Sequence, residues 1–535
     1  MQKFMDSDRE LKNIVRKYLD TAEGRSMQKK FDLAQAPRLL KLLEDSKNSS
    51  RIFEILCDII CCDLRKKDGI FFTPDTVSCR MAEEALEIWC KYHKGYSKLK
   101  AVKVLDPSCG NGEFLLAMVK SLTDKHLQYK PDLDRKKVIK YIVSNNIYGI
   151  DCNKNALNIL LKTLEKISGQ NVEKEHFINN DTLNFQSAEG FFPEIKKFDI
   201  VIGNPPYVSY GLRNCGKLDS KRAAELRTRF VDSAEYKLSL YTLFMEFALR
   251  STADDGIHSF IVPDSFLCGQ YYSKIRKFLL ENSCFEKFLL LKEKIFRANP
   301  GRLVIYFLRK NTPSEKWKFQ CAKVDKMPEK LSDLDFYAMK QSELAENFRQ
   351  RFRLFFDKNI HKLVKDMELH RRCKLGDILT LASGLVIKNG KKSVISLSGQ
   401  NGKNCHKCIS SSSSVLPGKA VVWQGEYIDL DPEKIKSGLG KVDHRAKKLL
   451  IRQTGDRIIS GVDENGLWVF NNLHVGVSKS YPVDLEALSD YLNSEAMLLY
   501  YQAVTLESGR AMAQLDLEIL RELPLKSDFR QKKRK

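Results

Sequence analysis

Short apolar runs alternate with amphipathic stretches over residues 66–310, and that alternation constrains the fold more than any other feature of the chain. The runs are Val102-Lys103-Val104-Leu105, Ile147-Tyr148-Gly149-Ile150, Phe198 to Ile202, Ser259-Phe260-Ile261-Val262 and Leu303-Val304-Ile305-Tyr306-Phe307. Each is bounded and strand-length, while the segments between them repeat apolar residues at helical spacing. Strands that alternate with helices pair in parallel and cover both faces of one sheet, so the expectation is a doubly wound α/β domain. Arg309-Lys310-Asn311, after the last run, is expected to mark the edge of that domain.

The flanks have other textures. Residues 1–65 carry apolar residues at helical spacing, for instance Leu11, Ile14, Val15 and Leu19, and are expected to form a small helical cap. Residues 311–375 are charged, and Glu343 to Lys365 suggests a helical connector. Residues 376–525 open with a strand and turn at Gly376 to Val386 and contain a serine loop at Ser410 to Ser414. They return to helix at 486–502 and 514–523, so this part reads as a second, mostly β domain. Residues 526–535 form a basic tail ending Gln531-Lys532-Lys533-Arg534-Lys535, expected to fray.

Composition narrows the partners. With 535 residues, 43% of them hydrophobic, the chain is globular and long enough for about two to four cores. Lys plus Arg number 90 against 68 Asp plus Glu, and a balance of +22 points to a polyanion, most simply nucleic acid. The N-terminus has no apolar signal core. No run of about eighteen apolar residues could span a membrane. The 14 cysteines are scattered, several in apolar stretches (Cys57, Cys61, Cys62, Cys268), which fits reduced thiols in a cytoplasmic protein. Cys405-His406-Lys407-Cys408 is one ligand pair without a second, so no metal site is assigned.

Acidic residues close successive strands. Val104-Leu105-Asp106-Pro107-Ser108-Cys109-Gly110-Asn111-Gly112-Glu113-Phe114 is a strand, a glycine turn and a helix start. It lacks the third glycine of the dinucleotide fingerprint, which argues against a pyrophosphate ligand. Gly110 and Gly112 suit a phosphate-free cofactor lying against backbone, and S-adenosyl-L-methionine is such a cofactor. Asp106 would then face its ammonium. Asp151, at the end of the second strand, suits two ribose hydroxyls. Asp181, ending Glu175 to Asp181, would accept from the cofactor's adenine amine. Upstream, in Gly69-Ile70-Phe71-Phe72-Thr73-Pro74, Thr73 is read as an N-cap with Pro74 at the first helical position. Its hydroxyl and the helix terminus would bind the methionine carboxylate.

The strand Phe198 to Ile202 runs into Gly203-Asn204-Pro205-Pro206-Tyr207. Asn204 offers a side-chain carbonyl and Pro205 a backbone one, and neither proline has an N–H. Two acceptors and an aromatic ring suit a planar exocyclic amine that becomes pyramidal as it reacts. Asn cannot ionise, so it is not a general base. Cys109 reads as a packing residue in the turn rather than a nucleophile.

Together these stretches resemble the amino-methyltransferases that modify adenine N6 in DNA, in the gamma-ordered subclass where cofactor half, catalytic loop and specificity domain follow in that order. Gly69 to Pro74, Asp106 to Gly112, Asp151, Asp181, Asn204 to Tyr207, Leu240 to Phe244 and Gly256 to Phe266 carry the resemblance. Ile451 to Asp456 and Leu492 to Ser494 extend it more loosely. It implies a Rossmann-like S-adenosylmethionine-dependent methyltransferase sheet and a C-terminal mixed α+β target-recognition domain. Catalysis then rests on Asn204, Pro205, Pro206 and Tyr207, and the cofactor on Phe71, Thr73, Asp106, Ser108, Gly110, Gly112, Asp151, Asp181 and Asn204. Tyr207 and Phe296 would sandwich an adenine extruded from double-stranded DNA. Lys388 to Lys392, Arg445 to Lys448, Arg452 and Arg457 would contact phosphates and base edges. A separately encoded restriction endonuclease is a candidate partner. The competing readings are methylation of RNA adenine or protein glutamine, a fused restriction–modification enzyme, and a non-catalytic specificity subunit.

Overall fold

The computed structural model describes residues 73–210, 218–236, 238–292, 301–388, 390–391, 394–396, 405–509 and 513–531. The helical cap expected at residues 1–65, Phe71 and Phe296 lie outside the described residues. The chain divides into two compact units between Phe352 and Arg353.

In the first unit the strands are β1 (Val104–Asp106), β2 (Ile147–Asp151), β3 (Phe177–Asn179), β4 (Phe198–Gly203), β5 (Ser209–Tyr210), β6 (Leu238–Ser239), β7 (Thr252–Pro263), β8 (Cys284–Leu291), β9 (Leu303–Arg309), β10 (Lys318–Val324) and β11 (Tyr337–Lys340). The principal helices are α1 (Asp75–Tyr92), α2 (Glu113–Tyr129), α3 (Arg135–Asn145), α4 (Lys154–Ser168), α5 (Ser220–Arg229), α6 (Leu240–Ser251) and α7 (Ser273–Asn282). Nine strands form one sheet in the order β11-β10-β8-β9-β7-β4-β1-β2-β3. β3, β2, β1, β4 and β7 run parallel, and β9 enters antiparallel between β7 and β8. From β1 the chain goes outward to β2 and β3 and then returns to place β4 on the other side. The strand order therefore reverses between β1 and β4, which is where open α/β sheets bind ligands.

Alternating strand residues feed two apolar layers. Val104, Ile200, Ile202, Ile257, Ile261 and Ile305 pack with Met81, Trp89, Leu115, Met118 and Ile142 of α1, α2 and α3. Tyr306, Phe288, Phe285 and Phe352 form an aromatic group, with ring centroids from 5.2 to 6.2 Å apart.

The sheet does not end where the sequence suggests. β9 is an interior strand, and residues 311–340, read as helical connector, supply β10 and β11. β10 carries Lys318, Gln320 and Lys323 between buried Phe319, Cys321, Ala322 and Val324, so its wet face makes the segment look like a charged helix. β8 reads poorly for a related reason, since Glu286 and Lys287 interrupt its apolar run. The α-helices of the connector are Ser342–Ala345 and Lys358–Leu369.

The second unit is mixed α and β. One four-stranded sheet orders Leu379–Ser383, Leu473–Ser478, Lys448–Arg452 and Ser460–Asp463. Another orders Ile395–Ser396, Tyr427–Asp429, Cys405–Ile409 and Trp468–Val469. Helices follow at Leu485–Leu492, Glu495–Thr505 and Leu517–Glu522. Residues 526–531 of the expected frayed tail are docked. The N–H of Asp484 bonds the carbonyl of Phe529 at 2.7 Å, and the N–H of Gln531 that of Pro482 at 3.1 Å.

Candidate active site

A cleft with a cavity volume of about 140 Å³ opens at the carboxyl ends of β1, β2 and β4. Thr73, Asp106, Ser108, Gly110, Asp151, Asp181, Asn204 and Pro206 line it. These come from five separate places in the sequence, and the reversal of strand order brings them together.

The floor is Asp106, 1% exposed. Its Oδ1 accepts the N–H of Ser108 at 2.9 Å. Burial, reinforced by the neighbouring Asp151 charge, pushes its carboxyl up to about 8 against the pull of that N–H. Gly203, last residue of β4, is what admits this carboxylate. A Cβ at position 203 would lie 2.6 Å from Asp106 Oδ1. The glycine that precedes the catalytic loop is therefore required by the acid on the adjacent strand.

Asp151 organises the next turn. One of its oxygens accepts the N–H of Gly110 at 2.8 Å and the other that of Asn153 at 2.7 Å. Burial raises its pKa while those two N–H groups lower it. Asn153 then caps α4 through the N–H groups of Asn155 and Ala156. Gly112 does not line the cleft. It enters α2 at φ +99°, and a Cβ there would meet Leu160 Cδ1 at 2.3 Å, so its part is the seating of α2 on α4. Cys109 is 2% exposed and lines the cleft. Its Sγ would lie 2.8 Å from a Cβ at Gly149, and burial pushes the thiol well above its ordinary value, which removes it as a nucleophile.

Thr73 differs from the sequence expectation. The N-cap of α1 is Pro74, with no side-chain cap bond. The Thr73 hydroxyl instead accepts the Asn204 amide Nδ2–H at 3.0 Å. Ser108 Oγ donates to the Asn204 backbone carbonyl at 3.2 Å. Asn204 is thus held by one residue before α1 and another after β1. Tyr207 is half-buried, and its hydroxyl donates to the Ile261 carbonyl at 2.9 Å, which fixes the ring against β7. Tyr241 meets that ring edge-on with centroids 6.4 Å apart. Pro205 is buried and Pro206 half-buried.

Asp181 lies at the rim and is exposed. Its Oδ1 caps a short turn through the N–H of Leu183, and its Oδ2 pairs with Arg222 of α5 at 2.6 Å. Sequence reasoning missed Phe244, Glu113, Phe114, Cys152, Asn153, Ala156 and Thr182, which also line the cleft. Asn153 was within reach, because Asp-x-Asn at the end of a strand before a helical repeat is a capping signal. Phe244 lies in a stretch that carries the resemblance, but α6 is apolar on nearly every side, so its spacing does not single it out.

The lining carries four carboxyl side chains, of Asp106, Glu113, Asp151 and Asp181, and no lysine, arginine or histidine among the described residues. Its charge suits a cation and repels phosphates.

In the second unit, two of the bases expected to touch DNA have structural partners. Lys448 is fully buried and pairs with Asp463. Arg452 holds the serine loop through the Val415 carbonyl, with Nε at 3.0 Å and Nη2 at 2.8 Å. Lys388, Arg445 and Arg457 are exposed. Among the described residues no group of three potential metal ligands occurs, and no helix is long and apolar enough to cross a membrane.

Residues 145–296 match the family described as Eco57I restriction-modification methylase, and residues 415–525 match the TaqI-like C-terminal specificity domain. Among curated relatives, the Type II methyltransferase M.BstVI of Geobacillus stearothermophilus is 30% identical over 192 residues, 34% of this chain and 32% of that protein. The Type II restriction enzyme and methyltransferase RM.Eco57I of Escherichia coli is 25% identical over 261 residues, 41% of this chain and 26% of that protein. The chain thus spans about a third or less of the length of these relatives. Two solved structures share the fold. They are a nuclease-deletion mutant of the Type ISP restriction-modification enzyme LlaGI (TM-score 0.56, 15% identity, 81% of this chain and 43% of that one) and the Type IIL enzyme MmeI (TM-score 0.53, 14% identity, 82% and 66%).

Proposed function

We propose that this chain, which joins an Eco57I-type restriction–modification methylase domain to a TaqI-like specificity domain, is a site-specific DNA methyltransferase acting on adenine N6. The observation that carries the reading is the placement of Asn204. Its side chain is fixed by Thr73 at the mouth of an acid-lined cleft, in the crevice where the strand order reverses.

S-adenosyl-L-methionine fits that cleft by charge, because it is a cation without phosphate and the lining is acidic. Asp106 and Ser108 would hold its amino-acid end with Thr73, Asp151 would take the ribose hydroxyls, and Asp181 the adenine rim. Bound there, it supplies a methyl group on a sulfonium, open to displacement by a neutral nitrogen.

The chain's own residues prepare that nitrogen. The Asn204 side-chain carbonyl and the Pro205 carbonyl accept the two N–H bonds of the exocyclic amine and favour its pyramidal, charge-developing form, which is preorganised electrostatic stabilisation. The Tyr207 ring, anchored through its hydroxyl, offers a base-stacking face worth about 1–3 kcal/mol, which offsets part of the cost of extrusion. No ionisable base is in the loop, so the proton leaves to solvent after transfer. The specificity domain and the +22 balance favour DNA over a protein glutamine substrate. A restriction role would need an endonuclease as partner, and such a pair would work on DNA in the cytoplasm.

The test is transfer from methyl-labelled donor to genomic duplexes of varied origin, followed by digestion to nucleosides. Label on N6-methyl-2′-deoxyadenosine supports the reading. Label confined to cytosine, RNA or protein overturns it.

A further inference from the structure

Beside the catalytic loop an aromatic ring stands in solvent on a turn that is tightly held. Tyr236 is 79% exposed, and Val231 on the same turn is 50% exposed. Scattered exposed apolar residues are ordinary on loops, but this turn is fixed from several directions. Ser233 Oγ donates to the buried Glu246 at 2.6 Å. Arg250 pairs with Asp232. Arg227 of α5 donates to the carbonyls of Glu235 and Tyr236. The Glu235 carboxylate accepts the N–H of Lys274 at 2.7 Å, and Lys274 Nζ donates to the Val231 carbonyl at 3.1 Å. A turn bound this way does not bury its aromatic side chain but presents it.

Its position is set by the catalytic loop. β5 begins two residues after Tyr207 and pairs antiparallel with β6, Tyr210 opposite Leu238. Tyr236 is two residues before Leu238. A relay of rings leads back inward. Tyr236 lies 5.7 Å from Tyr271, the adjacent Tyr272 lies 6.0 Å from Tyr241, and Tyr241 lies 6.4 Å from Tyr207. The bases of this rim, Arg227 and Lys274, are exposed and bonded to the same turn. A flat ring with cations on the same rim is the pairing that single-stranded nucleic acid uses, base on ring and phosphate on charge.

We propose that Tyr236, backed by Tyr271, is a second stacking station, which receives an unstacked base of the target strand next to the extruded one. The inference rests on the DNA-methyltransferase reading and goes beyond it, because extrusion leaves neighbouring bases without a stacking partner and Tyr236 supplies one outside the catalytic pocket. The hydroxyl has no part in it.

The test uses the full chain with S-adenosylhomocysteine and a fluorescein-labelled duplex that carries the sequence context identified by modification mapping. Tyr236→Ala and Tyr236→Leu, which lack a flat ring, should weaken duplex binding by about 5- to 150-fold, the equivalent of about 1–3 kcal/mol per stacked base. Tyr236→Phe should bind as the parent does, and cofactor affinity by calorimetry should be the same in all four proteins. Parental DNA affinity in the Ala and Leu variants overturns the inference, and so does an equal loss in the Phe variant. A parent protein that binds and methylates no duplex overturns the functional reading itself, which separates the two failures.

Discussion

Replacing Thr73 by Val tests whether the catalytic amide is aimed by its neighbour. Valine keeps the shape of a residue that is 5% exposed and removes the acceptor 3.0 Å from Asn204 Nδ2. The net worth of such a neutral bond is about 0.5–1.5 kcal/mol. At about 1.36 kcal/mol per factor of ten, single-turnover methyl transfer should slow by about two- to tenfold. Asn204→Ala removes the transition-state contact itself and should cost about 10²- to 10³-fold. Because Thr73 acts on the rate through Asn204, the two losses must not add. In the Asn204→Ala background the Thr73→Val change should leave the residual rate where it was. The assay is single-turnover transfer at saturating cofactor and duplex, with cofactor affinity measured separately by calorimetry. That second readout isolates any contact the Thr73 hydroxyl makes to the cofactor. A threonine effect of the same size in both backgrounds refutes the positioning role.

Two further changes probe the floor of the cleft. Gly203→Ala places a methyl 2.6 Å from the Asp106 carboxylate oxygen, so the protein should lose about 1–3 kcal/mol of stability by chemical denaturation and bind cofactor poorly, and parental affinity would contradict this. Asp106→Asn tests the raised carboxyl. Folding lifts this group from 3.8 to about 8, so the folded chain holds a proton that the unfolded chain releases, and its contribution to stability is present below the lower value and lost as pH rises through the upper. The asparagine variant cannot suffer that loss, so its Tm relative to the parent should climb between about pH 5 and about pH 9, whereas a falling difference would reverse the sign of the argument.

Much of the site was legible in the sequence because each part sits at the end of an apolar run. Asp106 and Asp151 end β1 and β2, Asn204 follows β4 directly, and a strand that stops at a polar residue declares where its crevice lies. What could not be read depends on distance. The Thr73–Asn204 bond spans 131 positions and the Asp181–Arg222 pair 41, and no local spacing encodes either. The packing constraint on Gly112 was hidden for the same reason, since it comes from Leu160 on another helix. The far end of the sheet was hidden by chemistry, because β10 keeps one wet face and its lysines imitate a connector. Lys448 and Arg452 show the reverse error, in which charge that looked free for DNA is already engaged inside the second unit.

The central claim is that Asn204 and its loop direct a methyl group onto adenine in DNA. Its most direct test is long-read modification mapping of DNA from a methylation-free host expressing either the parent chain or Asn204→Ala. The parent should mark N6 of adenine in one sequence context, and the variant should leave that context bare. Unmarked adenine with the parent, or equal marking with both, contradicts the account.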